Sequence, residues 1–106
     1  MKHELFCIFD NKASYFLPPW PCRNVGTARR EFLTACQTPK MAFSEFPADY
    51  VLYAVGEFDD ADAKFTPFPP PQRVCDGVEI LQMAVGSASS VLFKPKTGSE
   101  VENAQA

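Results

Sequence analysis

The stretch LFCIFDNKASYFLPPWP, from Leu5 to Pro21, contains the clearest fold signal in the chain. Two apolar, aromatic-rich runs, Leu5–Phe9 and Ala13–Leu17, flank the polar residues Asp10-Asn11-Lys12. Aromatic and β-branched residues favour strands, and an Asp-Asn pair between two such runs favours a tight turn. The stretch therefore predicts a β-hairpin. Its second strand should end at Pro18-Pro19, because proline lacks the amide hydrogen that strand pairing needs.

The composition predicts one packed domain. The chain has 106 residues, of which 46% are hydrophobic and 13% aromatic, and this is enough for one modest core. It contains no run of about 18 apolar residues, so we expect no transmembrane helix and no membrane partner. The first residues are not typical of a signal peptide. We therefore expect an intracellular protein.

Residues that could carry chemistry are few. The single histidine, His3, has no partner at a motif spacing, and the acidic run from Glu57 to Asp62 lacks the pattern of a calcium loop. The chain also has no glycine-rich phosphate loop. We predict no enzyme, no catalytic residue, no metal and no cofactor. The four cysteines form no CxxC pair, which favours free, partly buried thiols, although their number also allows disulfides.

The rest of the chain predicts helices and a second hairpin. Apolar residues recur at helical spacing within Asn24–Gln37, and a short helix should follow within residues 40–46. Strand-like runs then occupy Tyr50–Phe58 and Ala63–Phe68, with Gly56 marking a bulge. Both hairpins run into prolines, and an alignment of the two copies matches Phe9-Asp10 with Phe58-Asp59 and Tyr15 with Phe65. The alternative is a chance similarity of two amphipathic hairpins.

These elements predict an α+β fold. We expect a four-stranded, mostly antiparallel sheet from two β-hairpins, in the order ββααββ, with one main helix packed on one face. Asp76 either caps a helix over residues 77–84, which we favour, or forms a turn with Gly77. We expect a single domain over residues 1–85 and a flexible tail over residues 86–106.

The charge is distributed unevenly. The formal net charge is −3, but residues 1–40 carry six Lys and Arg against three Asp and Glu, whereas residues 41–106 carry four against ten. A nucleic-acid surface therefore belongs to the N-terminal half. Single-strand binders combine aromatic faces for base stacking with cations that contact phosphates. The residues predicted to bind nucleic acid are Lys12, Tyr15, Trp20, Arg23, Arg29 and Arg30.

The same residues also allow other interpretations. The aromatic residues could belong to the core, with the arginines as ordinary solvated charges. The stiff segments around Pro18-Pro19 and Pro69–Pro71, which lie beside aromatic residues, also suit a protein–protein adaptor. An edge strand or the C-terminal triplet Val91-Leu92-Phe93 could form a homodimer.

Four blocks of the sequence resemble a known family. The blocks FCIFDNKASYFLPP, RNVGTARREF, FPADYVLYAVGEFDD and VCDGVEIL are together similar to the small nonstructural protein of gokushoviruses, single-stranded DNA phages of the Microviridae. The resemblance spans residues 2–81. It implies a DNA-binding protein that acts in viral DNA replication, or in the switch to single-stranded synthesis and packaging. It also implies phage or host replication proteins as partners and the cytoplasm of a bacterial host.

Overall fold

The structure, a computed structural model, describes residues 1–91, with side chains described for residues 1–84. It confirms the α+β class, and a 3₁₀ turn at Pro47–Asp49 precedes the fourth strand. The strands are β1 (Lys2–Asp10), β2 (Tyr15–Phe16), β3 (Trp20–Cys22), β4 (Tyr50–Asp59) and β5 (Lys64–Asp76). The helices are α1 (Val25–Gln37), α2 (Ala42–Glu45) and α3 (Gly77–Val91).

All strands belong to one antiparallel sheet. Strand β1 lies in the middle and pairs with β4 on one side, while β5 pairs with the far side of β4. The other side of β1 pairs with β3 near its start and with β2 near its end. Strands β2 and β3 are therefore two pieces of one edge strand. The observed order βββααββα differs from the predicted ββααββ because this edge is split and a third helix follows β5.

Prolines interrupt the strand pairing at both edges of the sheet. Pro18 and Pro19 separate β2 from β3, as predicted for the first hairpin. The prediction of a proline stop is wrong for the second hairpin, because β5 continues through Pro69–Pro71 to Asp76. Strand β5 tolerates these residues because it is an edge strand, and its register leaves Phe68–Pro71 without partners on β4.

The predicted bulge in β4 is confirmed. Gly56 pairs with Leu5 on β1, whereas Ala54 pairs with the next residue, Phe6, so Val55 is the extra residue. A Cβ atom on Gly56 would lie 2.6 Å from the carbonyl oxygen of Thr66. The close approach of β5 at this position therefore requires glycine.

The two hairpin turns have the same geometry. Ser14 and Ala63 both have left-handed φ angles, 63° and 62°, and their backbone N–H groups donate to the carbonyl oxygens of Asp10 and Asp59 at 2.7 and 2.8 Å. The similarity of the two hairpins is thus structural, but the predicted alignment is wrong by one residue. Phe9 pairs with Phe16, and Phe58 pairs with Phe65, so the equivalent of Phe65 is Phe16 and not Tyr15.

The main core lies between one face of the sheet and α1. The prediction of a main helix packed on one face is confirmed, and the side chain of Asn24 caps it by accepting from the N–H of Thr27 at 2.9 Å. Helix α1 buries Ala28, Phe32 and Cys36. The sheet contributes Phe6, Ile8, Cys22, Leu52, Ala54 and Cys75 to the same cluster, and α3 contributes Ile80.

A capping box begins α3. The N–H of Glu79 donates to Asp76 Oδ1, and the N–H of Asp76 donates to Glu79 Oε1, both at 2.8 Å. The favoured prediction of a helix after Asp76 is therefore confirmed. Helix α3 continues through Val91, so the predicted domain boundary at residue 85 falls inside a helix. The rest of the predicted tail, residues 92–106, lies outside the described residues. No helix in the described part of the chain is long and apolar enough to cross a membrane.

Candidate functional site

The face of the sheet opposite α1, here called the outer face, carries a second group of apolar side chains. Residues that pair directly across antiparallel strands point to the same side, and alternate residues of a strand share a face. Cys7 and Val51 are 7% exposed but do not belong to the core cluster beneath α1. The strand register places these residues on the outer face: His3, Leu5, Cys7, Phe9, Phe16, Val51, Tyr53, Phe58, Phe65, Pro67 and Arg73.

Aromatic rings form two groups on the outer face. Near the first turn, Phe9 and Phe16 lie edge to face with ring centroids 4.8 Å apart, and Tyr53 lies 5.3 Å from Phe16. Near the second turn, the rings of Phe58 and Phe65 are 5.0 Å apart. Phe16 is 44% exposed and Phe65 is 64% exposed. The outer face therefore offers aromatic surface at both hairpins.

The bulge at Val55 brings these two groups to the same side. Tyr53 and Phe58 are separated by an odd number of positions, so in a regular strand they would point to opposite faces. The extra residue shifts the alternation by one, so both side chains point to the same face. Tyr53 pairs with Cys7 and Phe58 pairs with His3, and Cys7 and His3 share a face of β1. The bulge predicted at Gly56 thus turns Phe58 onto the outer face.

Acidic side chains contact Arg73 and His3 on the outer face. Arg73, which pairs with Tyr53 in the strand register, donates from Nη2 to Glu79 Oε1 at 2.9 Å and approaches Asp76 Oδ2 at 3.5 Å. His3 Nε2 lies 2.9 Å from Asp60 Oδ2. Hydrogen bonds from the N-terminal ammonium group and from His3 lower the pKa of Asp60. The face is therefore mainly apolar, with polar contacts at its ends.

Comparison with known proteins assigns the family. The model of the family described as "Phage ORF5 protein" matches residues 3–80, which is most of the chain. The chain belongs to the Phage ORF5 protein family. This confirms the predicted phage origin, and the matched range agrees with the range of the resemblance. No curated protein and no solved structure matches the chain.

In this Phage ORF5 chain, Trp20 does not present a free aromatic face. It is half-buried, its ring centroid lies 6.2 Å from that of Phe6 in the core, and its Nε1 donates to Glu31 Oε1 at 2.8 Å. Its polar neighbour is therefore an acid rather than one of the predicted arginines. Tyr15 is 56% exposed, but it pairs with Asp10 and so lies on the side of the sheet that carries α1.

The four predicted cations do not converge on Trp20. Arg29 and Glu31 are two positions apart on α1 and therefore lie about 200° apart around its axis. Arg29 is half-buried on the flank near Cys75, and its Nε is shielded from solvent without a hydrogen-bond partner among the described residues. Arg23 and Arg30 are exposed at the start and on the outward side of α1. Lys12 is exposed in the first turn, at one end of the outer face.

The thiols occupy packing positions. All four cysteines are free and buried. The pKa of the Cys36 thiol is raised to about 11, mainly by burial and to a smaller extent by the neighbouring Cys75 and Asp76. Burial also raises the pKa of Cys75, and the Arg29 guanidinium partly opposes that rise. Within the described residues, no group of three or more His, Cys, Asp or Glu side chains is placed to hold a metal ion.

The sequence analysis did not identify the aromatic residues of the outer face as candidate site residues. Tyr15 was selected, although adjacent residues of a strand point to opposite faces and the ring on the outer face is that of Phe16. A signal was present, because both hairpins contain Phe-Asp followed, after five residues, by Phe, at Phe9 and Phe16 and again at Phe58 and Phe65. This common spacing predicts a cross-strand aromatic pair next to each turn.

Proposed function

We propose that this phage protein is a non-enzymatic DNA-binding protein that uses the outer face to stack unpaired bases without strong sequence preference. The observation that carries the proposal is the set of rings on the sheet face opposite α1, with exposed Phe16 and Phe65 at the two hairpins. Sheets that bind single strands use exposed aromatic side chains as stacking platforms, because every base has a π-face.

The charges favour single strands and weak binding. Arg73 and His3, which lie at the ends of the outer face, already contact Glu79 and Asp60, and the chain has a net charge of −3. Stacking would therefore supply most of the affinity, and the salt sensitivity of this weak binding would come from the phosphate contacts alone. Lys12, exposed in the first turn beside the Phe9–Phe16 pair, is the cation best placed to contact a phosphate.

The resemblance to the gokushovirus nonstructural protein supports the biological part of the proposal. In a single-stranded DNA phage of the Microviridae, such a protein would act in viral DNA replication, or in the switch to single-stranded synthesis and packaging. It would work in the cytoplasm of the bacterial host, with phage or host replication proteins nearby. Membership of the Phage ORF5 family supports a phage protein.

A specific observation favours a second candidate, a protein adaptor. The outer face is mainly apolar, and its Arg73 and His3 side chains contact acids, a composition that also suits a protein partner or a second copy of the chain. Prolines interrupt both sheet edges, which disfavours the edge-paired homodimer that the sequence suggested. A dimer would instead be expected to form face to face.

A DNA-binding measurement tests the proposal. Fluorescence anisotropy would follow binding of the full chain to labelled single-stranded and duplex DNA at low and moderate salt. Phe16→Ala should weaken single-strand binding about 5- to 150-fold, the effect of losing one stacked base. The matched control is Tyr15→Ala, which removes a neighbouring exposed ring from the opposite face. Arg29→Ala/Arg30→Ala tests the surface predicted from sequence on α1.

The outcomes separate the alternatives. Equal losses for Phe16→Ala and Tyr15→Ala would contradict the outer-face assignment. A large loss for Arg29→Ala/Arg30→Ala alone would return the DNA surface to α1. If wild type binds no DNA even at low salt and light scattering shows a dimer that Phe16→Ala dissociates, the outer face is a protein interface and the adaptor function replaces DNA binding.

A further inference from the structure

A groove on the α1 side of the molecule is separate from the outer face. It has a volume of 320 Å³, at the lower end of the range typical of small-ligand sites. It lies between α1, α2 and the gap that Pro18 opens in the edge strand. Its lining residues are Ile8, Leu17, Pro18, Trp20, Glu31, Phe32, Ala35 and Phe43.

Side-chain contacts hold the walls of the groove in place. The indole of Trp20 is fixed by its hydrogen bond to Glu31 and by packing on Phe6. On the opposite wall, Phe43 lies edge to face with Tyr50, with ring centroids 4.6 Å apart. The groove is thus formed before any ligand enters, which lowers the ordering cost of binding.

Glu31 is the single charged residue among those that line the groove. Its Oε1 accepts from Trp20 Nε1 and lies 3.7 Å from Cys22 Sγ, whereas its Oε2 accepts no hydrogen bond from the side chains described for residues 1–84. A carboxylate beside an apolar groove repels phosphates and favours a cation adjacent to an apolar anchor. The groove is therefore complementary to a ligand unlike the one proposed for the outer face.

We propose that this groove binds a short segment of a partner protein that presents a bulky apolar side chain directly followed by Lys or Arg. The apolar side chain fills the space between Trp20, Leu17 and Phe43, and the cation pairs with Glu31 Oε2. This site does not depend on DNA binding and would persist if that function were disproved.

Trp20 provides a direct readout, because it is the only tryptophan of the chain and lines the groove. We would titrate the full chain with the peptide acetyl-Leu-Phe-Lys-amide and follow Trp20 emission. A saturable change in the high micromolar to millimolar range is expected. The matched peptide acetyl-Leu-Phe-Glu-amide should bind more weakly by about 2- to 5-fold or more, because it places a like charge beside Glu31. No saturable change, or equal affinity for both peptides, would overturn the proposal.

Two variants test whether Glu31 causes the preference for the Lys peptide. Glu31→Gln keeps an oxygen that can accept from Trp20, so the groove should survive, but the preference for the Lys peptide over the Glu peptide should disappear. Glu45→Gln changes an exposed carboxylate of α2 that does not line the groove and should leave the preference intact. The same loss of preference in both variants would show that net charge, and not Glu31, selects the peptide, and would overturn the assignment.

Near its C-terminal end the sequence contains a segment with the proposed chemistry, Leu92-Phe93-Lys94. Phe93→Ala in the full chain tests whether the protein's own segment occupies the groove. The partner proposal expects Trp20 emission and peptide affinity to stay unchanged in this variant. A red shift of Trp20 emission together with tighter peptide binding would mean that the chain fills its own groove, and would overturn the proposal of a separate partner.

Discussion

Phe58 and Phe65 lie directly opposite each other across β4 and β5, with ring centroids 5.0 Å apart on the outer face of the sheet. Phe9 and Phe16 form the equivalent pair across β1 and β2 at 4.8 Å. In each hairpin the pair lies one position outside an Asp whose carbonyl oxygen closes the turn. The turn geometry and the aromatic pair thus fix the register of each hairpin together.

The Phe58–Phe65 pair should contribute a measurable coupling to stability. A double-mutant cycle of Phe58→Ala and Phe65→Ala, measured by denaturant unfolding, should give a coupling free energy of about 0.5–1.5 kcal/mol. A second cycle of Phe58→Ala and Phe46→Ala serves as the control and should show no coupling. Phe46 is 57% exposed and lies outside the sheet, in the segment between α2 and β4. Additive effects within the Phe58–Phe65 cycle would show that the rings do not interact in solution.

Gly56→Ala should destabilise the protein. The new Cβ would lie 2.6 Å from the carbonyl oxygen of Thr66 and 3.0 Å from the Cα of Pro67. Both are backbone atoms of β5, so the strand itself must shift, and we expect a loss of about 1–3 kcal/mol in the free energy of unfolding.

Gly26→Ala is the matched control for that change. A Cβ at Gly26 meets only Asn24 Oδ1, at 3.3 Å, and the residue lies in the first turn of α1. Alanine is the better helix former by up to about 1 kcal/mol, so this variant should be neutral or slightly more stable. If Gly56→Ala were equally well tolerated, β5 would not approach β4 as closely as described.

The capping box of α3 should make the free energy of unfolding depend on pH in the acidic range. The pKa of Glu79 is lowered below its ordinary value of 4.5. The main cause is the hydrogen bond from the N–H of Asp76, and the hydrogen bond from the Arg73 side chain is the next largest. A carboxyl group whose pKa is lower in the folded state stabilises the fold above its unfolded pKa. That contribution is lost as the pH falls through the folded-state pKa.

Thermal unfolding of Glu79→Gln measures this contribution. The variant should be less stable than wild type at neutral pH, and the difference in Tm should shrink between about pH 6 and about pH 3. Glu45→Gln removes an exposed carboxylate that makes no hydrogen bond within the side chains described for residues 1–84, and should leave the acid dependence unchanged. A Tm difference that stays constant with pH would argue against a charged Glu79 in the cap.

The thiols should be unreactive in the folded protein. All four are buried, and the Cys36 pKa of about 11 leaves almost no thiolate at neutral pH. Ellman's reagent should therefore label Cys7, Cys22, Cys36 and Cys75 slowly in buffer and all four rapidly in guanidinium. Rapid labelling of any one thiol without denaturant would place it on an accessible surface.

Local signals account for what the sequence analysis predicted correctly. Asn24 precedes an apolar stripe at helical spacing, so the start and buried face of α1 follow from a cap and a periodicity. Asp76 caps α3 because Glu79 follows at the capping-box spacing. The continuation of β5 through Pro69–Pro71 was missed, because only the position of a strand at a sheet edge decides whether it tolerates proline.

The candidate site was harder to predict because it depends on contacts across strands. Trp20 and Arg29 are close in sequence, yet α1 separates them onto opposite flanks, and Trp20 is paired with Glu31 instead. The bounds of α1, the start of α3, the two turns and the glycine at the bulge are properties of short segments, and the sequence by itself determined them. Only the tertiary structure decided which aromatic rings share the outer face. Facing depends on strand register, and a single extra residue, Val55, reverses it for the rest of β4.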